Sequence, residues 1–101
     1  MTRVRFIPQA DAEVAWETRY YRREAGPTVA QRFVRALEEA TRLAREFPDA
    51  GSPGTENTRH IQLKGFPFSI VYRRVPEGIL VFALAANARE PRYWVPRTTQ
   101  G

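Results

Sequence analysis

The chain has 101 residues, 43% hydrophobic and 27% charged, with a net charge of +5, a pI near 10.4 and no cysteine. That length predicts one domain, residues 1–101, whose core needs no covalent staple, and the missing thiols exclude disulfides and thiolate metal sites. No apolar run approaches the roughly 20 residues of a membrane helix, and Met1 to Pro8 lacks a signal-peptide core, so a cytoplasmic protein without metal or cofactor is expected.

Val4 to Ile7 reads as a short strand ended by Pro8, which has no N–H to donate to a ladder. From Gln9 to Ala25 the pattern is helical. Ala10, Val14 and Tyr21 share one stripe, and Ala12, Trp16 and Tyr20 the next. Asp11, Glu13 and Glu17 precede Arg19, Arg22 and Arg23, the order that complements a helix dipole. Gly26 and Pro27 stop this helix. Thr28, with Gln31 as a capping-box partner, starts a second, in which Val29, Phe33, Leu37, Ala40, Ala44 and Phe47 recur at helical spacing and Glu38 faces Arg42. Pro48 closes it.

Asp49 to Thr58 has the composition of a surface loop. Strands are predicted at 59–64, 66–75 and 79–87, with Pro76-Glu77-Gly78 as the turn between the last two. Phe66, Phe68, Ile70 and Tyr72 put one apolar face on the middle strand. Ile79 to Ala86 is apolar on both faces, which marks a central strand. The order β-α-α-β-β-β predicts an α+β domain, a helical hairpin packed on one face of a small, mainly antiparallel sheet.

Charge divides unevenly. Residues 1–58 carry nine Arg against nine acidic residues, whereas residues 59–101 carry seven basic against two acidic, the whole net +5. The basic half ends in an aromatic tail, residues 89–101, beginning Arg89-Glu90-Pro91-Arg92-Tyr93-Trp94-Val95-Pro96-Arg97. This distribution points to an acidic partner, nucleic acid or protein. Each residue also has an ordinary structural reading: Arg73 and Arg74 as a solvated strand edge, Tyr93-Trp94 as a cap on the core, His60 as a solvated or stacking ring.

Order, size and landmarks resemble the ParE/RelE toxins of type II toxin–antitoxin modules, nearer to ParE. The residues that carry the likeness are Ala10-Asp11, Val14 and Tyr20-Tyr21; Arg32-Phe33, Ala36-Leu37 and Pro48; Arg59 and Leu63; Phe66-Pro67-Phe68-Ser69-Ile70-Val71-Tyr72-Arg73; and Arg89-Glu90-Pro91-Arg92-Tyr93-Trp94 with Arg97. The likeness departs at Ala86-Asn87, where many relatives carry histidine. It implies a toxin neutralised by an acidic antitoxin in a hetero-oligomer. ParE-type members poison DNA gyrase; RelE-type members cut messenger RNA on the ribosome; a degenerate, non-toxic relative is a third reading.

Mapping the ribonuclease branch by position assigns Lys64, Arg73, Arg89 and Tyr93. RNA cleavage needs a base, an acid and cations for the phosphorane charge. Arginine serves only the last of these, so Lys64 or Tyr93 would have to move the protons. A gyrase poison needs only a contact surface, and Arg89, Arg92, Tyr93, Trp94 and Arg97 supply hot-spot residue types. Trp16 and Tyr20 are the predicted antitoxin contacts. Replacing Arg89 and Trp94 together by alanine is expected to abolish toxicity while the domain stays folded.

Overall fold

A computed structural model describes residues 2–99; Met1, Gln100 and Gly101 of the predicted domain and tail lie outside the described residues. The elements are β1 (Arg3–Phe6), α1 (Pro8–Ala25), α2 (Pro27–Glu46), β2 (Ser52–Pro53), β3 (Arg59–Gln62), β4 (Phe68–Val75), β5 (Gly78–Ala86) and a 3₁₀ helix (Val95–Thr99). The five strands form one mixed sheet in the order β1-β5-β4-β3-β2. β1 runs parallel to β5, and every other pair is antiparallel. The predicted architecture holds, with β2 added inside the expected loop.

Proline and glycine punctuate the helices more tightly than expected. Pro8 is the first residue of α1, where a missing N–H costs no helical bond. Gly26 alone separates the helices, at φ 93°, a conformation that suits glycine. Its N–H donates to Arg22 O at 3.2 Å, and its carbonyl accepts from Ala30 N–H at 3.2 Å. Pro27 thus opens α2 instead of merely barring α1, and the Thr28–Gln31 capping box does not form because Thr28 is already helical. Arg42 pairs with Glu39 at 2.9 Å and Glu46 at 3.6 Å, not with Glu38. Both pairs are exposed, so their effect on stability is small.

One face of the sheet carries the main core. Phe33, Leu37, Ala40 and Ala44 of α2 and Ala10 of α1 pack on Phe68, Ile70, Tyr72, Ile79, Val81 and Leu84. Phe47, placed by spacing on this stripe, is 61% exposed because α2 ends before it. Tyr21, Phe33 and Phe66 close one end of the core with ring centroids 5.1–5.4 Å apart. Tyr72 pins the connection after α2: its hydroxyl donates to Pro48 O at 2.7 Å and accepts from Gly51 N–H at 3.1 Å.

β5 is buried over most of its length, as its continuous apolar run predicts. The register moves from Val71↔Ala83 to Tyr72↔Val81, so Phe82 has no partner on β4. On the side away from the helices the cover is the C-terminal tail. Trp94 packs on Val71 and Ala83, with Ala85, Tyr93 and Val95 around it. At 2% exposure Trp94 is core, which corrects its prediction as a target-binding ring. The strand face left bare by the helices would otherwise expose its apolar side chains to water.

Candidate functional site

The tail returns to α1, and the join is a cleft of about 290 Å³ bordered by Glu13, Trp16, Phe68, Leu84, Arg89 and Tyr93. Glu13 is its hub. Arg97 grips the Glu13 carboxylate with both Nη atoms at 3.0 Å. The Tyr93 hydroxyl donates to it at 2.8 Å and the Leu84 N–H at 3.1 Å, while Arg89 Nη1 stands 3.8 Å away. A bidentate arginine–carboxylate pair with both side chains 17% exposed is mostly withdrawn from solvent, so losing either partner strands the other. Arg97 Nη1 also donates to Phe82 O at 3.1 Å, so one guanidinium joins α1, β5 and the 3₁₀ helix.

Tyr93 is flanked by cations. The Arg89 guanidinium carbon lies 3.6 Å from its ring centroid and that of Arg97 5.0 Å. Burial first, then the hydrogen bond to Glu13 and the charge of Glu13, push the Tyr93 phenol up to about 12, the two arginines opposing only in part. That direction is opposite to the one a general base needs. Burial, reinforced by Glu13, also raises the Glu17 carboxyl in the same cleft. His60 lies edge-on to Trp94 at 5.7 Å, and burial lowers it, so it is a neutral stacking ring against the tail.

Arg73 is a clasp. Its Nη1 donates to Thr98 O at 3.1 Å and its Nη2 to Glu56 O at 2.6 Å, while its guanidinium carbon lies 4.9 Å from the Phe82 ring centroid. Its Nε is buried with no acceptor, so the two Nη bonds and the Phe82 ring alone hold this half-buried side chain. Lys64 lines two other hollows, one with Tyr21 and Arg32 and one with Leu43 and Ile61. Of the four residues mapped to RNA cleavage, only Arg89 and Tyr93 therefore share the cleft. Arg92 is exposed at the tail's outer edge and Arg89 is 55% exposed, whereas Arg97 is an anchor rather than a projecting contact.

Trp16 and Tyr20 stand out from α1 at 60% and 42% exposure, and Trp16 borders the cleft. At the end of β5, Ala86 lies on the cleft wall, and the N–H of Asn87 just beyond it donates to Pro67 O at 3.0 Å. Glu13 escaped prediction: beside Asp11 and Glu17 it reads as ordinary dipole compensation. The small side chains Ala83 and Ala85, alternating with Leu84 on a strand with apolar faces on both sides, were the available sign that a large ring covers the second face. No helix among the described residues is long and apolar enough to cross a membrane, and no cluster of three or more metal-ligating side chains occurs among them.

A family model described as "ParE toxin of type II toxin-antitoxin system, parDE" matches residues 4–91. A chain from a structure described as the chromosomal ParDE TA system from P. aeruginosa superposes with a TM-score of 0.72 at 19% identity, covering 85% of this chain and 96% of that one. At that identity the likeness speaks for the fold. A search among curated proteins finds no significant match.

Proposed function

The chain belongs to the ParE toxin family of type II toxin–antitoxin systems, and on that premise we propose that it blocks DNA gyrase through its tail and is neutralised by an acidic antitoxin seated against α1. The observation that carries this reading is the dispersal of the residues mapped to RNA cleavage. Lys64 borders other hollows, Arg73 is clasped by backbone carbonyls, and Tyr93 holds its proton up to about 12. A cleft whose Glu13 is tied up by Arg97 and Tyr93, and that Lys64 and Arg73 do not enter, suits recognition better than phosphodiester chemistry. Arg89 and Arg92 are the target contacts in this reading, with Tyr93 at their rim. Trp94 and Arg97 hold that surface in place.

The antitoxin contact is the exposed pair Trp16 and Tyr20 beside the cleft. Apolar rings there supply anchoring, and the basic half of the chain steers an acidic partner toward it. A cytoplasmic site of action follows from the target.

Purified protein added to a gyrase supercoiling assay should accumulate cleaved plasmid and leave messenger RNA intact. Arg89→Ala with Arg92→Ala should weaken this inhibition by roughly tenfold or more, with thermal stability unchanged. Rapid cleavage of transcripts within codons, on induced expression, would overturn the reading in favour of the ribosome-dependent endoribonuclease.

A further inference from the structure

At the other end of α1 lies a cavity of about 480 Å³ bounded by Tyr21, Val29, Arg32, Lys64, Phe66 and Pro67. Its wall is apolar and its rim holds two exposed cations, contributed by α2 and by the turn after β3. Gly65, at φ 83°, makes that turn, which brings Lys64 to the same hollow as Arg32. Among the described residues neither cation is in an ion pair. The pairs of the helical hairpin join Arg23 to Glu24, Arg42 to Glu39 and Glu46, and Arg45 to Glu46. Two unpaired positive charges around an apolar hollow form a ready receptor for carboxylates next to an apolar side chain.

This hollow and the cleft at Trp16 are separate but near: Tyr21 of the hollow meets Phe68 of the cleft edge-on at 6.4 Å. Tyr20, exposed, meets Tyr21 edge-on at 5.7 Å, and Tyr21 meets Phe66 edge-on at 5.2 Å, so a ridge of rings runs along α1 between the two. The rise of an α-helix puts Tyr21 about 12 Å along the axis from Glu13, a length that two to three turns of a partner helix would cover. The rings also argue for peptide over RNA. Tyr21 packs against Tyr20, Phe33 and Phe66, and a stacked base needs an open ring face.

We propose that Arg32 and Lys64 form a second anchor for the antitoxin, taking carboxylates from an acidic segment whose apolar side chain enters the Tyr21–Phe66 cavity. The proposal rests on the antitoxin reading above and extends it to the opposite end of α1. Its chemistry is electrostatic steering plus one apolar plug. Charge should therefore govern how fast the segment arrives, and the rings how long it stays.

The test is calorimetric titration with the purified product of the neighbouring reading frame, using the wild type, Arg32→Glu with Lys64→Glu, Arg32→Lys with Lys64→Arg, and Trp16→Ala. The charge reversal should weaken binding roughly thirtyfold at about 50 mM salt, the difference shrinking near 500 mM, while the charge-preserving swap stays within about threefold. Both residues are exposed, so unchanged melting temperatures should accompany these effects. Unaltered affinity on charge reversal, with Trp16→Ala weakened, would overturn the second anchor and leave the antitoxin reading standing. No binding by the wild type would overturn both. Loss of a single-stranded RNA oligonucleotide on charge reversal, with partner affinity intact, would also overturn it.

Discussion

The two faces of this sheet are built by different means. The helix face is closed by many side chains at regular spacing, Phe33, Leu37, Ala40 and Ala44 meeting Phe68, Ile70, Val81 and Leu84. The tail face is closed by one large ring, Trp94, on Val71 and Ala83, and then laced down by polar bonds from Arg97 and Tyr93 to Glu13 and from Arg73 to Thr98. The first depends on area removed from water and tolerates loss at any one position better. The second concentrates its stability in a few residues, and those residues also hold the proposed target surface.

Trp94→Ala should be the most damaging change on the tail face, costing about 3–5 kcal/mol, as a buried aromatic truncation does. Phe33→Ala should cost a similar amount, yet the two should differ in hydrogen exchange. Trp94→Ala should expose the amides of the tail and the second face of β5 while those of α2 stay protected. Equal loss of protection across α2 in both variants would mean the two faces form a single cooperative unit. This outcome also replaces the sequence-based expectation that Trp94 can be removed without structural penalty.

Glu13→Ala comes next. It leaves Arg97 and Tyr93 without their acceptor and should cost about 2–4 kcal/mol by denaturant unfolding. Glu13→Gln, which keeps one carbonyl acceptor, should cost less than half as much. If alanine and glutamine were equivalent, the lacing would depend on charge alone.

The smallest effect is visible only in alkali. Folded Tyr93 titrates at about 12 against an ordinary 10.0, so the folded state binds its proton more tightly than the unfolded chain. Its contribution is complete below pH 10 and lost as pH rises toward 12, on the order of 1–2 kcal/mol for a ring that is partly wetted. Tyr93→Phe should flatten that part of the stability profile. An unchanged alkaline slope would show that the hydroxyl is not buried against Glu13 in solution.

What was legible in sequence follows the same division. Helical period and strand alternation are local, and the helix face is made by them, so the hairpin, the three antiparallel strands and the central character of β5 could be read from spacing. Ser52–Pro53 could not, because a two-residue strand inside a Gly/Pro-rich loop carries no alternation. Nor could the lacing. Glu13 and Arg97 are adjacent only after β5 has brought the tail back across α1, and neither residue's neighbours encode that meeting. Trp94 beside Arg92 and Tyr93 has the composition of a contact patch. Burial removed it from that role because the sheet's second face had no other cover. Trp16 and Tyr20 were identified as candidates by type, and their exposure needed the structure.

The parallel pairing of β1 with β5 has a consequence for biosynthesis. Arg3 is registered with Gly78 and Phe6 with Val81, so the first strand to leave the ribosome must wait for the last. At about 5–20 residues per second that wait is roughly 4–15 s, and Trp94 and Arg97 arrive later still. A nascent chain therefore lacks both its finished sheet and the proposed target surface laid across it. On the function proposed above, the activity would begin only once the tail has been made and folded, and an acidic partner would have those seconds in which to meet each new copy.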